Sequence, residues 1–437
     1  MLRSGILENL PGMASAARCL AITRYTPYAS IELMQADICH ALRDQDILVQ
    51  EHMHSDFPNK ELFRHQLAAI GKHAGRRFVF DTNLNHNYET NGQSIYDAWS
   101  LPRFSFLTDS PARKLDKLAG FPKSGLIGVV DEDFVELLGE LEAPGLGAIP
   151  FQHAGPQPRR KLRNTSERPI DVLVLGNVSS SLTTDAWLDQ DAAPNDQLRT
   201  TLTRSFERCR TETTALWKVF NEEAASSGYD PISKASYCDA LCGLETHLIA
   251  TRRREILSSL NSVATVFGGG TSRTNGNLHL GASVDARGAL PFLDALELME
   301  QSKIVIDISP SFRNGAHERV FYALSRGAFV LTEPSRFLTL EVENDLGIAF
   351  LPFESDDVEN TIRTVLDRGP EELDAVRTRA LAHYAGTHTW SQRVDTLLQS
   401  MDTLYWEQSS VSSPDGNGAP GKPTIELSDG GNSNHAL

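Results

Sequence analysis

KIVIDISPSFRNGAHERVFYALSRGAFVLTEP, Lys303–Pro334, is the stretch whose reading decides the fold. The run KIVIDISP (303–310) is continuously apolar and strand-like, and AFVLTEP (328–334) is a second such run. Between them Val320, Ala323 and Leu324 recur at i, i+3 and i+4, the stripe of a helix that buries one face. Two apolar strands joined by a helix form a parallel unit whose sheet is covered on both sides. The loop SFRNG (311–315) then lies at the carboxyl end of a strand, and the helix is expected to begin near Ala316. Free N–H groups at such a helix start form an anion site, above all for phosphate. Asn314, Gly315 and Ala316 line it, with Gly315 letting the backbone approach a ligand. His317 and Arg319 add donors, and an arginine can bond two phosphate oxygens at once. The plainer alternative is that Glu318 in the first turn and Arg326 in the last merely complement the helix dipole. Arg319, Tyr322 and Arg326 share a further face, which places Tyr322 next to any ligand that Arg319 meets.

Outward from this unit the alternation continues. IDVLVLGNVSSS (170–181) opens a domain, two helical segments occupy about 197–226 and 234–260, and strands recur at 262–270 and 347–353 before three closing helices. Upstream, strand-like runs at 17–23, 47–53, 77–83, 103–109, 125–131 and 145–151 alternate with helices, the first at 30–44. The expected fold is α/β, with two Rossmann-like doubly wound domains facing a cleft. The expected boundaries are 1–153 for the first domain, 154–169 for a linker and 170–407 for the second domain. The second domain carries a helical insertion at about 195–260, and a Ser/Gly/Pro/Asn-rich tail at 408–437 is expected to be disordered.

The chain of 437 residues carries 57 acidic and 41 basic side chains, a net charge of −16, which argues against nucleic acid or an anionic membrane as main partner. Five scattered cysteines without a C-x-x-C read as reduced thiols. Glu8 and NLPG interrupt any leader-like apolar run, and Met13 is an alternative start. No apolar run is long enough to span a bilayer, so a soluble, cytoplasmic protein is expected.

Other strand ends supply further candidates. Gly176 and Asn177, in GNVSSS, would let a diphosphate approach closely; a plain strand-to-helix loop is the equal alternative. GGGTSRTNGN (268–277) is either a cleft loop or a surface turn, and TRYTPYAS (23–30) lies where an acceptor would enter. His54, Asp81, His86, Asp109 and His153 lie near strand ends of the first domain, where a general base would act on an acceptor hydroxyl. Asp109, in LTDSP, is the first choice; capping the next helix is its ordinary alternative. No metal site and no cofactor are indicated, since the DED at 131–133 opens a helix.

The segment SKIVIDISPSFRNGAHERVFYALSRGAFVLTEPSRFL, with THTWSQR (387–393) further on, resembles bacterial glycosyltransferases of the spore-protein CgeB/YkvP-like type. These belong to the group-1 enzymes of GT-B fold. The resemblance implies a nucleotide diphosphate sugar as donor, held by the second domain, and a hydroxyl acceptor of unspecified kind on the first. It also implies His317 and Arg319 on the diphosphate, no metal in the chemistry, and a last helix that returns to the first domain. Where this family has glutamate in R-V-F-E-A, this chain has Tyr322, which can make one hydrogen bond but cannot grip a diol. A sugar-nucleotide 2-epimerase of the same plan and a catalytically lapsed binding protein are the alternatives.

Overall fold

In the computed structural model, residues 17–406 are described except 25, 27, 28, 55–59, 74, 91, 160, 179–182, 193, 194 and 270–279. The expected tail, the alternative start, Ser179–Ser181 and most of GGGTSRTNGN fall outside the described residues, as do parts of TRYTPYAS.

Two six-stranded sheets organise the chain. The first contains β1 (Arg18–Arg24), β2 (Leu48–His54), β3 (Arg77–Thr82), β6 (Arg103–Leu107), β7 (Gly125–Val129) and β8 (Gly147–Pro150), while β4 (Glu89–Thr90) and β5 (Gln93–Ser94) form a small separate hairpin. The second contains β9 (Ile170–Leu175), β10 (Thr265–Gly268), β11 (Val284–Ala286), β12 (Ser302–Asp307), β13 (Phe329–Thr332) and β14 (Ile348–Phe350). Their orders are β2-β1-β3-β6-β7-β8 and β11-β10-β9-β12-β13-β14, and every pair within them is parallel. Each order reverses direction once, at β1/β3 and at β9/β12, which defines two doubly wound, Rossmann-like domains. Such strands are buried on both faces, which is why Ile304, Val305 and Ile306 are all fully buried rather than alternating.

The structure adjusts the sequence reading at three places. The helix expected to begin near Ala316 runs Glu318–Ser325, with His317 as its N-cap in extended conformation. The imidazole sits over the helix start, its Nδ1 3.3 Å from the Arg319 N and 2.7 Å from Glu318 Oε2. The helical segment read as 197–226 is broken into Asp196–Cys209 and Leu216–Ser227. Within the expected linker 154–169, Ala154, Thr165 and Arg168 are buried, and Arg168 donates to Ser302 O and Arg326 O, both at 2.8 Å.

Most of the helical segment between β9 and β10 packs on the first domain, whereas Ile256 and Leu257 at its end join the core beside Val172 and Val174 of the second. Trp217, Phe220, Leu241 and Leu244 join one hydrophobic core with Phe104, Phe106 and Leu137 of the first domain. Trp217 Nε1 donates to Asp133 O at 3.2 Å, and Arg113 pairs with Glu245 at 2.7 Å. At the other end, the helix Trp390–Met401 returns to the first domain, burying Trp390 against Phe106 and Phe151. The two domains together, with shared helices and facing carboxyl edges, make a GT-B-like architecture. Among the described residues no helix is long and apolar enough to cross a membrane.

Candidate functional site

The reversal of strand order at β9/β12 places Leu175 and Asp307 side by side at the carboxyl edge of the second sheet, where ligands of doubly wound folds bind. After β9 the chain turns at Gly176, whose φ of 146° favours glycine. Beside it stands Arg253, from the helix Lys234–Ser259. Its guanidinium donates to Asn177 O at 2.7 Å and Ile308 O at 3.1 Å, and among the described residues no carboxylate forms an ion pair with it. Burial and the nearby Arg319 charge push its pKa down to about 10. That is the signature of a cation held short of its counterion.

Arg319 completes the cradle from the helix start. Its Nε donates to Asp307 at 2.8 Å and one terminal nitrogen to Ser309 Oγ at 3.3 Å. Asp307 is 1% exposed; burial raises its pKa, but Arg319, His317 and Arg253 outweigh that and hold it below the usual carboxylate range. A cavity of about 150 Å³ opens here, lined by Gly176, Asn177, Gly268, Gly269, Glu318 and Arg319, with an apolar floor of Leu290, Phe292 and Met299. Ser30, at the start of the helix Ser30–Asp44, borders it from the first domain.

Glu318 links the cradle to the first domain. Its Oε2 lies 2.7 Å from His317 Nδ1 and 3.7 Å from His153 Nε2. Burial works against its charge, yet the two imidazoles and Arg319 draw its pKa well below the carboxylate range. His153 is 1% exposed, and burial, opposed by the Glu318 charge, pushes its pKa down to about 4, so the ring is neutral at pH 7. Asp109 is half-exposed, 3.3 Å from Lys114 Nζ, and its charge also acts on His153. Asp109, His153, His317, Glu318 and Arg319 thus form one chain of titratable groups across the cleft.

The remaining expected residues lie as follows. The Asn314 N–H donates to Asp131 Oδ2 at 2.8 Å, and its side-chain amide donates to Glu132 at 3.2 Å. Gly315 pairs with Asp131 as an isolated antiparallel bridge, and any Cβ there would collide with Val130 O. The DED at 131–133 therefore holds the loop before the 318–325 helix. Ala316 is buried in the core of the second domain. Tyr322 is 1% exposed, and its hydroxyl donates to Asp37 of the first domain at 2.6 Å. Of the other candidates, Asp81 is a fully buried ion pair with Arg103 at 2.6 Å, and His86 is buried beside Tyr88 Oη at 3.3 Å. The His54 side chain lies outside the described residues.

Sequence reasoning missed Arg253 and Asp307 as site residues. The signal for Asp307 is a carboxylate inside an apolar strand, which needs a cationic partner. Arg253 sits in a run of three arginines, and only packing selects which of them reaches Asn177.

A family model described as "Glycosyl transferase-like" matches residues 252–399, a segment that begins one residue before Arg253 and takes in Asp307, Glu318 and Arg319. No curated protein matches. Among solved structures, similar chains include sucrose-phosphate synthase from Thermosynechococcus elongatus, at 8% identity and a TM-score of 0.47, covering 90% of this chain and 100% of that one. A glycosyltransferase involved in avilamycin A biosynthesis has 13% identity and a TM-score of 0.47, covering 88% and 98%. Anabaena HepE in complex with UDP and glucose has 10% identity and a TM-score of 0.46, covering 88% and 99%.

Proposed function

We propose that this chain is a glycosyltransferase that moves a sugar from a nucleotide diphosphate sugar to an acceptor hydroxyl. The observation that carries the reading is Arg253, a guanidinium bonded to carbonyl oxygens and without an ion-pair partner among the described residues, beside a glycine turn at the β9/β12 reversal. Arg319 stands on the same edge. Two guanidiniums and a close-approach glycine suit the charge that develops on a departing diphosphate. The match of residues 252–399 to a glycosyl transferase-like family supports the same chemistry, and CgeB/YkvP-like enzymes are the finer reading.

The diphosphate would lie against Gly176, Asn177, Arg253 and Arg319, with the 150 Å³ cavity beside it for the rest of the donor. The acceptor would approach from the first domain, past Ser30 and Asp109. His153, neutral at pH 7, and Glu318, ionised, are the groups placed to take or relay its proton. In this reading His317 orients Glu318, and Asn314, Gly315 and Ala316 hold the loop in place. Tyr322 braces the domains through Asp37. The acceptor group is a hydroxyl, which polysaccharide, lipid and protein all supply.

Calorimetric titration with UDP, GDP, ADP and their sugars tests the proposal. Binding that requires the second phosphate supports it, and absence of binding to every nucleotide sinks it. Incubating a bound UDP-sugar with the protein alone separates transfer from 2-epimerisation, because only an epimerase inverts the sugar at C2. The Tyr322–Asp37 bond favours one second reading, a lapsed nucleotide-sugar-binding protein, in which binding persists and no acceptor is glycosylated.

A further inference from the structure

The second domain holds a group of side chains that the proposed transfer does not use. Glu341 of the helix Thr339–Glu343, His383 of the helix Gly369–Thr387, and His388 directly after that helix converge on one point. One candidate ligand atom from each lies within 4.8 Å of the others. His388 Nε2 is 2.8 Å and His383 Nε2 is 3.2 Å from the same oxygen, Glu341 Oε1. In a tetrahedral zinc site with bonds of about 2.0–2.1 Å, neighbouring ligand atoms stand about 3.3 Å apart, so these side chains need only small shifts to enclose an ion.

A second observation points to a missing partner. Glu341 and His388 are each 5% exposed. Oε1 of Glu341 faces both imidazoles, whereas Oε2 is buried with no hydrogen-bond partner. A bare buried carboxylate oxygen is costly, and a cation held by both oxygens of Glu341 beside the two Nε2 atoms would relieve it. The His383 side chain, at 25% exposure, leaves a way in from solvent.

We propose that Glu341, His383 and His388 form a binding site for a divalent transition metal of the zinc class. Two imidazole nitrogens among three protein ligands select zinc, cobalt or nickel over magnesium or calcium, which take oxygen ligands. Arg393 faces the cluster from the helix Trp390–Met401, its guanidinium held by Gln152 O, His153 O and Thr387 O. That charge opposes a hard dication bound by charge alone, so the imidazole bonds decide the affinity. The bound ion would join the 339–343 helix to the end of the 369–387 helix. His388 O accepts the Gly155 N–H at 3.1 Å, so the joined segment is the one that leads the last helix back to the first domain.

The test uses the full, untagged chain, stripped with a chelator and titrated with Co²⁺ alone. One Co²⁺ per chain, with visible ligand-field absorption, displaced by Zn²⁺ and not by Mg²⁺, is the expected result. His383→Gln, at the exposed edge, should weaken Co²⁺ binding by at least about tenfold while the far-ultraviolet dichroism stays unchanged. Glu341→Gln should do the same; if it fails to fold, His383→Gln alone decides. Lack of stoichiometric Co²⁺ uptake, or uptake unaltered by His383→Gln, overturns the proposal.

Discussion

Arg253 and Arg319 bear on the same ligand in different ways, and their substitution separates binding from stability. Arg253→Ala removes a cation whose partners are carbonyl oxygens, so it leaves no ion pair broken. Its expected effect is a loss of about 1.5–3 kcal/mol in nucleotide diphosphate affinity, roughly 10- to 150-fold in Kd by calorimetry, with a smaller fall in Tm than for Arg319→Ala, since only two carbonyls lose a donor. Arg319→Ala removes the partner of buried Asp307 and should lower both affinity and Tm. His153 makes a prediction in pH. Its folded value of about 4 lies below its unfolded value of about 6.5, so the unfolded chain takes the proton first. The stability it contributes is complete above about pH 6.5 and is lost as pH falls toward 4, of the order of 3 kcal/mol for this group. Urea denaturation between pH 7 and 4 should show that slope, and His153→Gln should flatten it; an unchanged slope would show that the ring is not buried neutral.

At the scale of elements, the loop before the 318–325 helix and the helices after β9 both rest on the first domain. Gly315 packs against Val130 O and Asp131, leaving no room for a Cβ. Gly315→Ala should therefore push the loop off its seat and displace His317, Glu318 and Arg319 together. The expected readout is a fall in kcat with the overall dichroism retained, in whichever transfer assay the donor screen provides. Trp217 fills the shared core and donates to Asp133 O. Trp217→Ala should cost about 3–5 kcal/mol, measured as a drop in urea midpoint, because it opens a cavity and leaves a carbonyl without its donor.

For the whole molecule, the Tyr322–Asp37 bond braces one domain against the other. Burial raises the pKa of Asp37 despite the Tyr322 hydroxyl that serves it. Tyr322→Phe keeps the ring against Phe292 and strips the carboxylate of its donor, at an expected cost of about 1–3 kcal/mol. Tyr322→Glu would set a second carboxylate against Asp37 and should lower Tm further, with recovery in Tyr322→Glu/Asp37→Asn. Lack of recovery would place the effect elsewhere than in charge repulsion.

The fold was legible because its signals are local. Apolar runs such as KIVIDISP read as buried strands and the stripe of Val320, Ala323 and Leu324 as a helix, although the structure buries that helix all round from Val320 to Ser325 rather than on one face. Their alternation leaves a doubly wound sheet as the way to cover both faces. The cluster at 314–319 was legible as a polar helix start. Its wiring was not, because the partners come from far along the chain: Asp131 for Asn314, His153 for Glu318, Asp37 for Tyr322. Nor does spacing tell that the helices after β9 would join the core of the other domain, since an apolar helix face has many surfaces to choose from. By itself, then, the amino-acid order marked most of the strands and helices and suggested the edge at which an anion would bind. Only the tertiary structure decided which arginine is left without an ion pair and which residue spans the cleft, because burial and pairing belong to neighbours in space rather than in sequence.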